Sequence, residues 1–195
     1  MSAHDGTVAV RGLMLRLHEN PPMMHPEGIR LSEVTGPWHV ACTKARREKA
    51  LARSLIGTET AYFLPMVERV SVIRRRRFRA LVPLFRGYAF FAGDEQTRWQ
   101  VLGSDHVARV LMVVDQERFI WEISQIEQAF AAGARLDPFP FIRRGARCRV
   151  RCGALAGLEG VVSVRRSVTR LVLEVEMLGQ AAAMEIEASL LEPAA

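Results

Sequence analysis

Four closely spaced glycines constrain the C-terminal part of this chain more than any other feature. The stretch GARCRVRCGALAGLEGVV covers residues 145–162, with apolar residues alternating before Gly153 and two valines following Gly160. Glycine is favourable where φ is positive or where two backbones approach closely, and it costs stability elsewhere. The spacing therefore predicts a strand, a tight turn and a second strand. We expect a positive φ at Gly153 or Gly160, and a close backbone approach at Gly160.

The residues after Gly145 show strand patterns only. The segments are ARCRVRC, LEGVVSVRR, RLVLEVEM and AAAMEIEA, and the third alternates almost strictly between apolar and polar residues, as a half-buried strand does. Short antiparallel strands in a small domain commonly close into a barrel, which removes most free edges. We predict a small SH3-like β-barrel over residues 143–195, after a proline-bearing linker over residues 134–142.

The preceding part of the chain mixes strand and helix patterns. Its segments predict the order β-α-β-β-α-β-α over residues 38–133, with the last helix starting at a capping box of Ser124 and Glu127. Residues 1–37 carry four prolines and are expected to be a partly flexible extension. The predicted fold class is α+β: a mixed α/β sandwich followed by a small β-barrel.

Composition indicates which partners and which cellular compartment suit this chain. The 195-residue chain has a net charge of +6, and only Lys44 and Lys49 of its 27 basic residues are lysines. Guanidinium groups suit phosphate and carboxylate partners. Three cysteines without a paired CxxC pattern argue against a disulfide framework or a zinc site and favour a reducing compartment. With no long apolar run, we expect a cytoplasmic protein with no membrane association.

The sequence contains none of the common catalytic patterns. A nucleophile elbow, a phosphate-binding loop, a zinc-protease motif and a paired-carboxylate arrangement are all missing. Cys148 and Cys152 alternate along a predicted strand and are expected to pack rather than to bind metal. We therefore expect a protein that is not an enzyme and that needs no cofactor or metal.

Two motifs resemble those of one family. The glycine-rich stretch is similar to a KOW motif, with the matching positions Gly145, Val150, Gly153, Gly157, Gly160 and Val161. Upstream, PLFRGYAFF at residues 83–91 and the strand that starts at Trp38 resemble the N-terminal domain of the NusG family of transcription elongation factors. The resemblance covers residues 38–193 and implies a mixed α/β domain joined to a β-barrel KOW domain. Arg86 replaces a usual proline, which together with the short linker and the extension favours a specialised paralogue.

The resemblance implies a function and a set of partners. A NusG-like protein binds RNA polymerase at its clamp helices, suppresses pausing, and recruits a ribosomal protein or a termination helicase through its KOW domain. It is expected to act as a monomer in elongation or antitermination. The alternative is an RNA- or ribosome-binding KOW protein that does not act on RNA polymerase.

The resemblance also implies a polymerase-binding pocket. The positions that match it are Tyr88 and Phe90, with Phe85 and Cys42 as further candidates. Within a strand, Tyr88 and Phe90 point to one side, whereas Phe85 and Phe91 point to the other, so the pattern requires at most one of these two sets to face inward. The alternative interpretation is that these side chains simply form core.

Basic clusters are the candidates for contact with upstream or non-template DNA. One is the RRRRFR segment, predicted to be a turn or loop, with Arg74, Arg75, Arg76 and Arg77. The other lies on the first helix, at Arg46, Arg47 and Lys49. Phosphate contacts give affinity that depends on salt and not on base sequence. The alternative is a solvated charged surface without a ligand.

Overall fold

The structure is a computed structural model that describes residues 19–73, 75–140 and 145–194. The helices are α1 (Glu48–Gly57), α2 (Glu95–Leu102) and α3 (Gln116–Ala131). The strands, in chain order, are β1 (Met24–His25), β2 (Trp38–Thr43), β3 (Tyr62–Phe63), β4 (Met66–Ile73), β5 (Arg76–Pro83), β6 (Tyr88–Ala92), β7 (Val107–Met112), β8 (Asp137–Pro140), β9 (Arg147–Val150), β10 (Glu159–Arg165), β11 (Val168–Val175), β12 (Gln180–Glu185) and β13 (Leu191–Pro193). Helices combined with antiparallel sheets confirm the predicted α+β class.

The N-terminal part is built on one antiparallel sheet with the strand order β1-β3-β6-β2-β7. Alternate residues of a strand point to opposite faces, and helices cover both faces of this sheet. α3 packs with Val40 and Phe90 on one face, whereas α1 and α2 pack with Ala41 and Phe91 on the other. The sequence required at most one side of the PLFRGYAFF strand to be buried. In the structure both sides are buried.

The last helix of the N-terminal part starts earlier than the sequence predicted. It begins at Gln116, where the Asp115 carboxylate accepts a hydrogen bond from the Arg118 backbone N–H at 3.0 Å. Ser124 and Glu127 lie inside this helix, so the predicted capping box is wrong. Asp115 provides the cap because its side chain satisfies an N–H of the first turn that has no partner within the helix.

Residues 19–37 fold onto the edge of the domain. β1 pairs with β3, and the Tyr62 hydroxyl donates to the Pro22 carbonyl oxygen at 2.9 Å. Leu31 is fully buried, and its backbone N–H donates to the Glu127 carboxylate at 3.1 Å. This corrects the prediction of a partly flexible extension for the part that the structure describes; residues 1–18 of that extension lie outside it.

β4 and β5 form a separate two-stranded hairpin, paired from Met66 opposite Pro83 to Ile73 opposite Arg76. The predicted basic loop is therefore much shorter than the RRRRFR segment, because β5 already begins at Arg76. Long arginine side chains can lie along a strand while their charged ends reach water, so a run of arginines does not exclude a strand.

The C-terminal part is one antiparallel sheet, the C-terminal sheet, with the order β13-β9-β10-β11-β12-β8. Strands form in all four segments that the sequence predicted as strands. β8 lies within the predicted linker, where it pairs with β12 along Asp137–Pro140. This segment is thus an edge strand of the sheet, which its two prolines permit. Closure into an SH3-like barrel stays a prediction.

The glycines do what their spacing predicted. Gly153 has a φ of 86° and Gly157 a φ of 87°, the left-handed conformation that favours glycine. A Cβ atom on Gly160 would lie 2.5 Å from the Val172 carbonyl oxygen, so only glycine fits this crossing of two strands. The neighbouring motif positions Val150 and Val161 are buried in the C-terminal sheet.

Candidate functional site

A groove of about 440 Å³ separates the β4–β5 hairpin from the end of α3, and we call it the hairpin groove. It is lined by Met66, Val67, Glu68, Val70, Arg79, Phe130, Ala134, Arg135, Leu136 and Asp137. Val67 and Leu136 are buried and belong to the same apolar cluster as Phe85 and Phe90. The groove therefore has an apolar floor that rests directly on the core of the N-terminal part.

One face of the β4–β5 hairpin combines exposed apolar side chains with arginines; Val70 and Arg79 on this face line the hairpin groove, and Val72 and Arg77 lie beyond it. Val70 is 57% exposed and Val72 is 66% exposed. Residues that pair directly across two strands share a face, and here Val70 is paired with Arg79 and Val72 with Arg77. Exposed apolar groups next to charges are typical of protein-binding surfaces. This face suits a partner that offers both apolar and acidic side chains.

The rings predicted to contact polymerase are mostly inside the protein. Phe90 is fully buried and Phe85 is 2% exposed. The two ring centroids lie 6.0 Å apart in an edge-to-face contact, and Phe90 makes a second such contact with Phe119 at 5.5 Å. Tyr88 is half-buried. Phe85 and Phe90 thus pack behind the hairpin groove, as the core interpretation describes, and Tyr88 alone of the three reaches solvent.

Cys42 lies beside Tyr88, because the two residues pair across β2 and β6. The thiol is buried, and the Arg109 Nε donates a hydrogen bond to Sγ at 3.4 Å. This contact with Cys42 raises the pKa of the Arg109 guanidinium. The structure therefore brings together the predicted contacts Cys42 and Tyr88, with an arginine that the sequence did not single out.

The basic residues near α1 do not form one surface. Arg46 and Arg47 are exposed ahead of the helix. Lys49 is instead half-buried, and its Nζ donates to Asn20 Oδ1 and to the Leu81 carbonyl oxygen, both at 2.6 Å. Burial lowers the pKa of Lys49. Its position and bonds suggest that it holds the N-terminal segment against β5.

Two arginines of the predicted basic loop lie at the end of the β4–β5 hairpin that is remote from the sheet, whereas Arg79 lines the hairpin groove. Arg75 and Arg77 are exposed, and Arg75 has a φ of 63° in the turn. Arg74 and the side chain of Arg76 lie outside what the structure describes. The described cations are therefore available to a ligand at the hairpin end.

The C-terminal sheet packs against α3. Gln125 Oε1 accepts a hydrogen bond from the Glu159 backbone N–H at 2.8 Å, and Gln128 Nε2 donates to the Ala156 carbonyl oxygen at 3.0 Å. On the same helix, Glu122 accepts from the Glu176 backbone N–H at 3.1 Å. These partners lie just before or at the start of β10 and just after β11. The loops at this end of the C-terminal sheet are thus packed against α3.

Glu122 is a buried carboxylate in this interface. It is 5% exposed and forms an ion pair with Arg118 Nε at 3.2 Å, while Arg118 also pairs with Glu176. Burial raises the pKa of Glu122, although the hydrogen bond from Glu176 and the charge of Arg118 oppose this shift. The contact between α3 and the C-terminal sheet therefore contains a carboxyl group whose charged form is disfavoured by burial.

The hairpin groove was not identified from the sequence. A weak signal was present, since Val70, Ser71 and Val72 alternate between apolar and polar residues. The sequence did not show that this strand faces Phe130 and Leu136, which are distant along the chain. Only the tertiary structure places the three segments around one groove.

The comparisons bear on the N-terminal part of the chain. Residues 36–129 match the NusG family model, described as transcription termination factor nusG. A search of curated proteins found no match. In the part of the chain that the structure describes, no helix is long and apolar enough to cross a membrane. No group of three or more His, Cys, Asp or Glu residues among the same residues is placed to hold a metal ion.

Proposed function

Because residues 36–129 match the NusG domain, which supports membership in the NusG family, we propose that this protein is a transcription elongation and antitermination factor. It binds RNA polymerase through the N-terminal part and suppresses pausing. The C-terminal sheet serves as a KOW domain that recruits a ribosomal protein or a termination helicase. The proposal assigns no catalytic reaction to the chain and places it in the cytoplasm as a monomer. The family match is the observation that carries it.

The hairpin groove is the proposed polymerase-binding surface. Its apolar floor and the exposed Val70 suit an inserted helical element such as the clamp helices. Phe85 and Phe90 support this floor from behind, while Tyr88 and Cys42 lie on neighbouring strands of the same domain. Holding the polymerase in its unpaused state requires only a higher affinity for that state than for the paused one.

The basic end of the hairpin is the proposed contact with upstream or non-template DNA. Arg75 and Arg77 are exposed there, and Arg46 and Arg47 are exposed ahead of α1. Contacts to phosphates add affinity in a transcribing complex without reading its sequence. Such contacts explain how the factor prefers a complex that contains nucleic acid over free polymerase.

The proposal is tested by placing a charge on the groove. Val70→Glu should weaken binding to core RNA polymerase by at least about tenfold, since a carboxylate buried against apolar groups costs well over 1.4 kcal/mol. The matched control is Val114→Glu in the same domain, where the valine is 98% exposed and outside the groove. Equal binding of both variants would overturn the groove assignment. Co-elution of wild-type protein with ribosomes and not with polymerase would favour the alternative function.

A further inference from the structure

Three arginines surround a concave surface at the tip of the β10–β11 hairpin. The cavity has a volume of about 600 Å³ and is lined by Arg165, Arg166, Val168 and Arg170. Neither the family resemblance nor the proposed polymerase contact uses this tip. We call it the arginine tip.

The pairing of the two strands brings the guanidinium groups together. Arg165 is opposite Val168, and Arg170 lies two residues further along β11 on the same face. Diagonal neighbours of this kind are about 7–8 Å apart, within reach of long side chains. Arg170 is paired with Glu185 at 2.9 Å. Within the described ranges, Arg165 and Arg166 have no acidic partner, so the tip carries uncompensated positive charge.

The turn itself is unfavourable for the residues that occupy it. Arg166 has a φ of 49° and Ser167 a φ of 63°. Hairpin turns with two residues at positive φ favour Asn-Gly, because other side chains are strained there. An arginine in this turn therefore reduces local stability, and its side chain forms no hydrogen bond or ion pair within the described part of the protein. The charge of Arg166 is therefore available to pair with an anionic ligand.

The arginine tip lies at the end of the hairpin that is remote from α3. Glu159 starts β10 and Glu176 follows β11, and both bond to α3. The tip is six residues away along β10 and eight along β11, or roughly 20–26 Å at about 3.3 Å per residue. It therefore stays accessible while the other end of the C-terminal sheet is covered.

We propose that the arginine tip binds the phosphodiester backbone of a nucleic acid. Guanidinium groups form paired hydrogen bonds with phosphate oxygens. Arg165 and Arg166, which have no acidic partner within the described ranges, can each bind a phosphate, while Arg170 beside them is paired with Glu185. The tip offers Val168 and no aromatic side chain, so it lacks the apolar anchors on which protein interfaces depend. The absence of a stacking ring at the tip also predicts that binding is insensitive to base sequence.

The test measures binding of the full chain to a labelled single-stranded oligouridylate as a function of salt. The test variant is Arg165→Ser with Arg166→Asn, and asparagine is chosen because it tolerates positive φ. The control is Arg86→Ser with Arg151→Ser, which removes the same charge from two exposed positions elsewhere. Melting curves establish that both variants are folded.

Loss of two phosphate contacts should reduce the slope of log affinity against log salt by about 1.4, at about 0.7 per contact on a single strand. The control should retain the wild-type slope. Equal losses in both variants would mean a general charge effect and would overturn the proposal, as would no loss in the test variant.

Two further arms identify the ligand. Oligodeoxythymidylate in place of oligouridylate tells whether DNA, RNA or both provide the backbone. Poly-glutamate is the protein-like probe, and a loss confined to this polymer would replace the proposal with an acidic protein partner. Polymerase binding should be unchanged in the test variant, so failure here is distinguishable from failure of the proposed polymerase contact.

Discussion

The backbone N–H of Glu159 donates a hydrogen bond to the side-chain Oε1 of Gln125 at 2.8 Å. This bond joins the start of β10 to the middle of α3, and Gln125 is buried. The two parts of the chain, which the sequence predicted to be joined by a proline-bearing linker, are therefore packed together. Changes on one side of this interface should be felt on the other.

Loss of the glutamine side chains should loosen this interface. Gln125→Ala with Gln128→Ala leaves the Glu159 N–H without its partner, which costs about 1–3 kcal/mol if the group stays buried. Amide hydrogen exchange should become faster at residues 156–159, while the central sheet stays protected. Gln96→Ala, on the exposed side of α2, is the control. Unchanged exchange at residues 156–159 would show that the interface does not depend on these bonds.

Gly160→Val should destabilise the C-terminal sheet. The added Cβ would lie 2.5 Å from the Val172 carbonyl oxygen, so the strands must separate. Overpacking of this kind costs about 1–3 kcal/mol, measurable by denaturant unfolding. Gly57→Ala is the control, because its Cβ would meet nothing within 4 Å at the end of α1. Since the sheet packs on α3, Gly160→Val should also increase exchange along α3, and an unaffected α3 would contradict the coupling.

Glu122 should make stability fall as pH rises. Its pKa is raised in the folded state by burial, so the native protein holds the proton to a higher pH than the unfolded chain does. The stabilisation is present below the ordinary carboxylate range and is lost as pH rises through the raised pKa. Unfolding free energies of wild type and Glu122→Gln should therefore diverge across that window.

The control for Glu122 is Glu117→Gln, an exposed carboxylate of the same helix. This variant removes a carboxylate of the same helix that makes no contact with Glu176. A Glu122→Gln profile that runs parallel to wild type would contradict the assignment of the shift to this residue.

The aromatic positions should separate into core and surface. Phe90→Ala removes a fully buried ring and should cost about 3–5 kcal/mol in unfolding free energy. Tyr88→Ala should cost less, because Tyr88 is half-buried, and should weaken polymerase binding in folded protein. A Phe90→Ala variant as stable as wild type, but unable to bind polymerase, would restore the prediction that this ring contacts polymerase directly.

The hairpin arginines should matter only when nucleic acid is present. Arg75→Asn with Arg77→Ser should leave binding to free core polymerase nearly unchanged and weaken binding to an assembled elongation complex. The loss should shrink at high salt, because screening already removes the phosphate contribution. Surface plasmon resonance at two salt concentrations measures the affinity for free polymerase and the affinity for the elongation complex. Equal loss with and without nucleic acid would indicate a protein contact instead.

The sequence alone determined the features that depend on local backbone chemistry. The spacing of Gly153 and Gly160 predicted a left-handed turn and a close approach of two strands, because glycine meets both requirements without strain. The apolar segment WHVACT predicted the strand at Trp38–Thr43, and alternation predicted strands after Gly145. Such signals need no knowledge of what packs against them.

Tertiary structure decided which faces are buried and which segments meet. Phe90 became core because α3 covers a face of the sheet that the sequence left open. The first turns of α3, which follow the Asp115 cap, contribute Phe119 to the contact with Phe90. The predicted linker became a strand because β12 offers an unpaired edge to Asp137–Pro140. Contacts between distant segments are selected by burial and by hydrogen bonds that exist only in the folded chain, so a pattern within one segment does not contain them.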